Sequence, residues 1–261
     1  MTANTKPPKS TEDLIQIIAS VYFWIELFGI SAVLFPLSLI IFILTVAFDR
    51  RLFILHKYTC LWSYIVLKIN PMWRIKVTGR EKINSGDTYI MVSNHQSGAD
   101  IIVLFLLWAH FKWIAKRSLF NYPFIGWNMW LNRYISLERE KASSMRKMMS
   151  KAATALREGN SVIVFPEGTR SKDGNIQPFK TGAFHLALDN KVPILPIAIT
   201  GTSKAIRKGG FLVNKNFNIR AIVLDPIPYS AIRNMDPKEV AGMVHARIAA
   251  EIEDSCRDRL T

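Results

Sequence analysis

The strongest constraint on this chain is a run of 22 residues, Leu27–Phe48, that contains no charged side chain. As an α-helix rising ~1.5 Å per residue, the run would extend about 33 Å, enough to cross ~30 Å of hydrocarbon. Pro36 lies inside it and is expected to kink the helix. The run is too long for the apolar region of a cleaved secretion signal, and no small-residue cleavage site follows it. The sequence therefore predicts a retained membrane anchor, which either spans the bilayer or lies within one leaflet.

The charge of the chain favours anionic partners. There are 34 basic and 20 acidic residues, a net charge of +14, and such a field attracts nucleic acid, anionic lipid headgroups or phosphorylated substrates. Basic residues follow the apolar run directly, which suits an anionic membrane face better than nucleic acid; they are Arg50, Arg51, Lys57 and Lys68. We therefore expect membrane lipids and no nucleic acid as partners. Basic residues next to membrane segments are enriched on the cytoplasmic side. The sequence therefore predicts that the domain after the anchor lies on the cytoplasmic face, which in a bacterium is that of the inner membrane.

Two helices are predicted in the N-terminal quarter, over residues 11–47 and 49–68. The second is amphipathic, and its Trp62 and Tyr64 suit a membrane interface. The alternative is an ordinary helix that packs its apolar face on a protein core. On the first interpretation, residues 1–70 form a two-helix membrane-anchoring segment.

After Pro71 the pattern changes to short apolar runs that alternate with helical stretches, which is typical of an α/β domain. This domain is predicted to occupy residues 71–261. Strands are predicted at 74–78, 88–93, 111–115, 133–137, 161–165, 194–200 and 219–224, and helices at 99–109, 141–158, 182–189 and 237–257.

A first group of polar residues, Asn94–Asp100, follows the apolar run Tyr89–Val92 and precedes an apolar helix. Such strand-to-helix junctions are where α/β proteins bind their ligands. His95 and Asp100 are separated by five positions across a tight turn and can form an imidazole–carboxylate pair. The carboxylate would fix the tautomer while the other ring nitrogen takes a proton. In the alternative interpretation, Asp100 only caps the following helix.

A second group, Phe165–Ser171, also follows a predicted strand. Gly168 permits close backbone approach, and the planar guanidinium of Arg170 suits a phosphate. Thr169 adds a hydroxyl donor. Glu167 either holds the arginine in place or accepts a hydrogen bond from a substrate hydroxyl. Taken alone, the segment is equally compatible with a solvated turn.

Together, the two segments resemble the signature of the glycerolipid acyltransferases, and most closely the 1-acylglycerol-3-phosphate (lysophosphatidate) acyltransferase family. In that family the first motif reads N-H-x-x-x-x-D and the third reads F-P-E-G-T-R, and residues 94–100 and 165–170 satisfy both. Lys116, with Pro123 and Gly126 after it, resembles the second motif, and residues 192–197 resemble the fourth. The motifs occur in the family's order, and the resemblance covers about residues 74–224. One departure is Glu138-Arg139, where the family usually has Asp-Arg.

The resemblance implies an α/β fold with a mixed sheet flanked by helices, preceded by a two-helix membrane anchor. It implies transfer of a fatty acyl group from acyl-CoA or acyl-carrier protein to the sn-2 hydroxyl of lysophosphatidic acid, giving phosphatidic acid in phospholipid biosynthesis. His95 would be the general base, held by Asp100. Arg170 and Lys116 would bind the substrate phosphate, with Glu167, Gly168 and Thr169 seating the glycerol. No metal or cofactor is implied beyond the acyl thioester, which is a co-substrate.

Two other functions remain open from sequence. An acyltransferase of the same fold would act on another lyso-lipid, for example one with a larger headgroup. A non-catalytic lipid-binding membrane protein is disfavoured because a binding module has no need of the His95–Asp100 pair. Neither Cys60 nor Cys256 lies in a motif, so direct transfer is expected and a cysteine acyl-enzyme is not.

Overall fold

The computed structural model describes residues 11–257 except 139–140, 172–173, 204, 207–211 and 215–216. The described elements alternate between helix and strand after an N-terminal helical pair. In chain order they are α1 Thr11–Thr45, α2 Phe53–Ile69, β1 Trp73–Thr78, β2 Ile90–Ser93, α3 Ala99–Leu104, β3 Phe111–Lys116, α4 Ile125–Leu131, β4 Ile135–Leu137, α5 Ala142–Arg157, β5 Ser161–Val164, α6 Gly182–Asp189, β6 Ile194–Thr200, β7 Phe217–Val223, α7 Tyr229–Ile232 and α8 Pro237–Arg257.

The strands form one mixed sheet in the order β1-β7-β6-β2-β5-β3-β4. Strand β7 runs antiparallel to β6, and the other neighbouring pairs are parallel. Alternate residues of β2 belong to two different cores: Met91 packs with α2 and α3 on one face, whereas Ile90 and Val92 pack with α5, α6 and α8 on the other. Because both faces are covered, the strand is apolar throughout, as parallel strands usually are. The predicted α/β fold with a mixed sheet flanked by helices is confirmed.

The register of the central strands brings the two polar segments together. Strands β2 and β5 are parallel neighbours, with Val92 opposite Val164. The residues that follow each strand therefore emerge side by side at the same edge of the sheet, which is the edge where α/β folds bind ligands. Residues separated by about 70 positions in sequence thus meet in one place.

The predicted two-helix anchor is wrong in its second helix. Within the described residues, one helix is long and apolar enough to cross a membrane, over Leu14–Thr45 in α1, and only 11% of its most apolar stretch is buried. Helix α2 is 17 residues long and buries one face, including Leu55, Cys60 and Val66, against the α/β core. Its amphipathic pattern therefore reflects core packing, which was the alternative left open by the sequence.

A buried polar group also fastens α2 to the sheet. The ring of His56 is fully buried, with Nδ1 at 2.9 Å from the Tyr134 hydroxyl and Nε2 at 2.9 Å from the Ala109 carbonyl oxygen. Burial lowers the pKa of His56 well below its ordinary value, so the ring is neutral. Both nitrogens of the His56 ring therefore make hydrogen bonds, and the ring itself carries no charge in the core.

The N-terminal half of α1 packs on the α/β part of the chain. Phe23 has no exposed surface, and its ring lies 5.1 Å from that of Trp73 at the start of β1. The backbone N–H of Val213 donates to the Ser20 hydroxyl at 2.8 Å. Residues on both sides of position 70 thus share one apolar core, and the division at residues 1–70 and 71–261 stays a prediction.

Replacing Phe23 by alanine should weaken this junction. Removing a buried phenylalanine costs about 3 kcal/mol or more, because it leaves a cavity against Trp73. For a chain of this size the Tm should fall by about 6–12 °C, measured by tryptophan fluorescence during heating in detergent. Val33→Ala is the matched control, since Val33 lies on the same helix and is 75% exposed. Equal Tm values for the two variants would contradict the packing described here.

Candidate active site

Asp100 holds the turn between β2 and α3. Its Oδ2 atom accepts three hydrogen bonds, from His95 Nδ1 at 2.8 Å and from the backbone N–H groups of Gln96 at 2.7 Å and Ser97 at 2.8 Å. Its side chain has no exposed surface. One carboxylate therefore pairs with the imidazole and also binds the backbone of the turn, whereas the alternative of a helix cap is not found, since the N-terminus of α3, which the structure describes in full, has no side-chain cap.

Asn94 fixes the same turn to the neighbouring strand. Its side-chain amide donates to the Ile199 carbonyl oxygen at 2.9 Å and accepts from the Ile199 N–H at 2.8 Å. It is fully buried. Where the backbone of β2 leaves the sheet, the Asn94 amide replaces it as the hydrogen-bonding partner of β6. His95, the next residue, is therefore held close to the sheet.

Glu167 joins the His95 turn to the Phe165–Ser171 loop. Its Oε1 accepts the His95 backbone N–H at 2.6 Å, and its Oε2 accepts the Gln177 N–H at 3.0 Å. The Ser171 N–H in turn donates to the His95 carbonyl oxygen at 2.9 Å. Burial raises the pKa of Glu167 to about 7, against the opposing effect of the two backbone donors. Glu167 therefore links the two loops by hydrogen bonds. Its expected contact with the glycerol stays a prediction.

The ring of Phe165 stacks on the imidazole of His95. The two ring centroids are 3.9 Å apart and the planes are inclined by 8°. Trp113 packs behind Phe165 with a centroid distance of 5.5 Å. The imidazole is thus held in its plane by the aromatic face and at its edge by Asp100, and an aromatic face also stabilises a positive charge on the ring.

Arg170 reaches across to the His95 turn. A β-carbon placed on Gly98 would lie 3.6 Å from Arg170 Nη1, so the guanidinium passes over the glycine three residues after His95. Gly168 has φ of +73°, the left-handed region that favours glycine. Its N–H donates to the Phe165 carbonyl oxygen at 3.1 Å and closes the turn. Thr169, which lies between Gly168 and Arg170, is partly exposed.

Lys116 ends β3 and is exposed. Strand β3 pairs with β5 through Trp113 and Ile163, so Lys116 lies at the sheet edge that also carries the Phe165–Arg170 loop. The adjacent Glu138, at the position of the family's aspartate, pairs with Arg117 Nε at 3.2 Å and Lys141 Nζ at 2.6 Å. The hydrogen bond from Lys141 lowers the pKa of Glu138. Arg139 lies outside the described residues.

The structure offers no alternative nucleophile from Cys60, which is buried in α2. Burial raises the pKa of its thiol to about 12, so it stays protonated at neutral pH. Among the residues that the structure describes, no group of three or more His, Cys, Asp or Glu side chains is arranged to hold a metal ion.

The site combines a His–Asp pair and a cationic side chain at one edge of an α/β sheet. The sequence profile of the family described as Acyltransferase matches residues 74–200. A 1-acyl-sn-glycerol-3-phosphate acyltransferase from Haemophilus influenzae is 30% identical over 182 residues, which cover 68% of this chain and 75% of that protein. The crystal structure of the 1-acyl-sn-glycerophosphate acyltransferase PlsC from Thermotoga maritima superposes with a TM-score of 0.78 at 25% identity, covering 94% of this chain and 97% of that one.

This chain therefore belongs to the acyltransferase family that contains the 1-acyl-sn-glycerol-3-phosphate acyltransferases, which confirms the family predicted from the motifs. A chloroplastic 1-acyl-sn-glycerol-3-phosphate acyltransferase from Arabidopsis thaliana is 38% identical over 203 residues, 76% of this chain and 56% of that protein. A second, from Brassica napus, is 36% identical over 206 residues, 76% of this chain and 58% of that protein. The chain thus spans between half and two thirds of the length of these plant relatives.

Replacing Phe165 by leucine should lower kcat by about 10-fold, because the imidazolium formed during turnover loses an aromatic face worth ~1–2 kcal/mol when desolvated. Phe165→Tyr keeps that face and should retain most of the activity. The measurement is steady-state kinetics at saturating substrate, with the Tm of each variant recorded beside it. Wild-type kcat in a stably folded Phe165→Leu variant would show that the stacking has no role in turnover.

Glu167 should give the stability of the protein a pH dependence. Its pKa rises from an ordinary value of 4.5 to about 7 in the folded chain. Its stabilising contribution is therefore complete below pH 4.5 and is lost as the pH rises through 7. Glu167→Gln cannot titrate, so the Tm of the wild type should fall relative to that variant between about pH 5 and pH 8. Glu253→Gln, at an exposed position of α8, is the control and should follow the wild type. Parallel curves for wild type and Glu167→Gln would contradict the raised pKa.

Proposed function

We propose that this protein transfers a fatty acyl group from an acyl thioester to the sn-2 hydroxyl of 1-acylglycerol-3-phosphate and so forms phosphatidic acid. The observation that carries the proposal is the His95–Asp100 pair, closed at 2.8 Å, at the sheet edge where Arg170 crosses the same turn. The H. influenzae, plant and T. maritima relatives are named for this acceptor, which supports the choice of substrate. The donor is acyl-CoA or acyl-carrier protein, and the chemistry requires no further cofactor.

His95 acts as the general base in this mechanism. Its Nδ1–H donates to Asp100, which leaves Nε2 to take the proton of the sn-2 hydroxyl. The hydroxyl oxygen attacks the thioester carbon, the new C–O bond forms, and the C–S bond breaks. The proton then passes from Nε2 to the departing sulfur. The hydrogen bond to Asp100 stabilises the imidazolium between these two transfers.

The cationic residues bind the acceptor in this proposal. Arg170 and Lys116 pair with the phosphate oxygens, for which a planar guanidinium provides two parallel donors. Gly168 and Thr169 lie against the glycerol, with Glu167 behind them. The passage of Arg170 over Gly98 supports this arrangement, because it puts a phosphate-binding group beside the turn that carries the base.

The acceptor is a membrane lipid, so the site works at the bilayer. Residues 1–70 are proposed as the anchoring unit and residues 71–261 as the catalytic unit on the cytoplasmic face. Helix α1 supplies the apolar surface. Basic residues after it, such as Arg50 and Lys57, attract anionic headgroups by ~1 kcal/mol each when near the surface.

The first test is acyl transfer by purified protein in mixed micelles with lysophosphatidic acid. The wild type should form phosphatidic acid, and His95→Ala should lower kcat by about 100- to 10,000-fold, as expected for loss of a general base. His185→Ala is the matched control, because His185 is exposed on α6 and outside the motifs. Near-normal turnover by His95→Ala would remove the general-base assignment.

The same assay separates the competing functions. Lyso-lipids with larger headgroups are offered beside lysophosphatidic acid, each with acyl-CoA and with acyl-carrier protein. Acylation of a different lyso-lipid alone would keep the chemistry and overturn the phosphomonoester assignment of Lys116 and Arg170. Binding of lyso-lipids without any product would favour the lipid-binding alternative.

A further inference from the structure

We propose that Lys180 is a further phosphate-binding residue of this site and pairs with the phosphomonoester of the acyl acceptor beside Arg170. The inference rests on the proposed function. Lys180 lies outside the four sequence motifs, after Pro178 and Phe179 and just before α6, and no local sequence pattern indicates it.

The side chain of Lys180 lies across Gly168. A β-carbon placed on Gly168 would be 3.0 Å from Lys180 Nζ and 3.1 Å from its Cε, so the end of the lysine side chain lies directly over the glycine. The backbone N–H of Lys180 donates to the Pro166 carbonyl oxygen at 3.0 Å. The lysine is therefore fixed at its backbone to the loop that it crosses, while its ammonium group remains in the exposed part of the site.

Arg170 and Lys180 are arranged alike. Each cationic side chain passes over a glycine, Arg170 over Gly98 and Lys180 over Gly168. Glu167 ties the two loops together, since its two oxygens accept the N–H groups of His95 and Gln177. The segment that leads into Lys180 is therefore held on the same carboxylate as the backbone of the catalytic histidine.

Neither cation is neutralised by the protein. In the described portion of the chain, the ion pairs involve other residues, and no carboxylate pairs with Arg170 or Lys180. The loops that these two cations cross are joined through Glu167, and a dianionic ligand bound there would be attracted by both charges. A phosphomonoester has three terminal oxygens and can accept from both side chains at once.

The acceptor phosphate fits this position better than the phosphates of the donor. In 1-acylglycerol-3-phosphate, only a few bonds separate the sn-2 oxygen from the phosphorus, so a hydroxyl at His95 brings its phosphate to the adjoining loops. The phosphates of coenzyme A lie a whole pantetheine arm away from the thioester. We therefore assign Lys180 to the acceptor.

Lys180→Met tests the assignment in the full-length protein. We expect KM for lysophosphatidic acid to rise about 10-fold or more, the usual effect of losing a hydrogen bond to a charged group. The KM for the acyl donor should stay at the wild-type value. Lys180→Arg should recover most of the affinity because it keeps the charge. Lys238→Met, at an exposed position in α8, removes the same charge and should leave both constants unchanged.

Two further comparisons make the outcome decisive. Against 1-acylglycerol, which lacks the phosphate, Lys180→Met and wild type should have equal kcat/KM. A rise in the KM for the donor alone would assign Lys180 to the donor phosphates and overturn the proposal. A wild-type KM for lysophosphatidic acid in Lys180→Met would overturn it while leaving the proposed function intact. Failure of the wild type to form phosphatidic acid would instead overturn the proposed function and this inference together.

Discussion

The buried carboxylate of Asp100 is the interaction on which the rest of the site depends. An ionised carboxylate without contact with water is costly, and here three N–H donors on one oxygen offset that cost. Two of those donors belong to the backbone of the turn, so the turn and the His95 tautomer are determined by the same group. Alanine at position 100 would disturb both, because it offers no acceptor for these three hydrogen bonds. The proposed reaction and the local fold consequently both require the carboxylate of Asp100.

The sheet topology explains how a site can be assembled from distant segments. Parallel pairing of β2 with β5 brings both loops to one edge, but pairing ends with the strands. Beyond that point, side chains replace the ladder: Asn94 binds Ile199 in place of a backbone partner, and Glu167 accepts the N–H of His95. These hydrogen bonds hold His95 in a fixed position, and Asp100 Oδ1 is the oxygen of the turn that stays buried without a partner among the described residues. Such preorganisation allows the transition state to be stabilised without rearrangement of the protein.

The sequence predicted those features that depend on local periodicity. The seven strands lie within two residues of their expected positions at nearly every end, and α6 and α8 begin and end as predicted. Features that depend on three-dimensional neighbours were missed. Helix α2 was assigned to the membrane because an apolar stripe has the same spacing whether it faces lipid or a sheet. Helix α4, with seven residues after Pro123, is too short for a clear period. The stacking of Phe165 on His95 joins segments that only the sheet register brings together, and the path of Lys180 over Gly168 depends on how the connection between β5 and α6 folds back on itself.

The packing of α1 connects catalysis to the membrane. Phe23 lies against Trp73, whose indole N–H donates to the Asn214 carbonyl oxygen at 3.0 Å. One side of the N-terminal half of the helix is therefore part of the α/β core, whereas both halves expose apolar side chains such as Ile25 and Leu44. One continuous helix thus packs on the core and also carries the apolar surface that makes it a candidate membrane anchor. The same arrangement means that removing α1 would take away part of the enzyme's core together with its anchor.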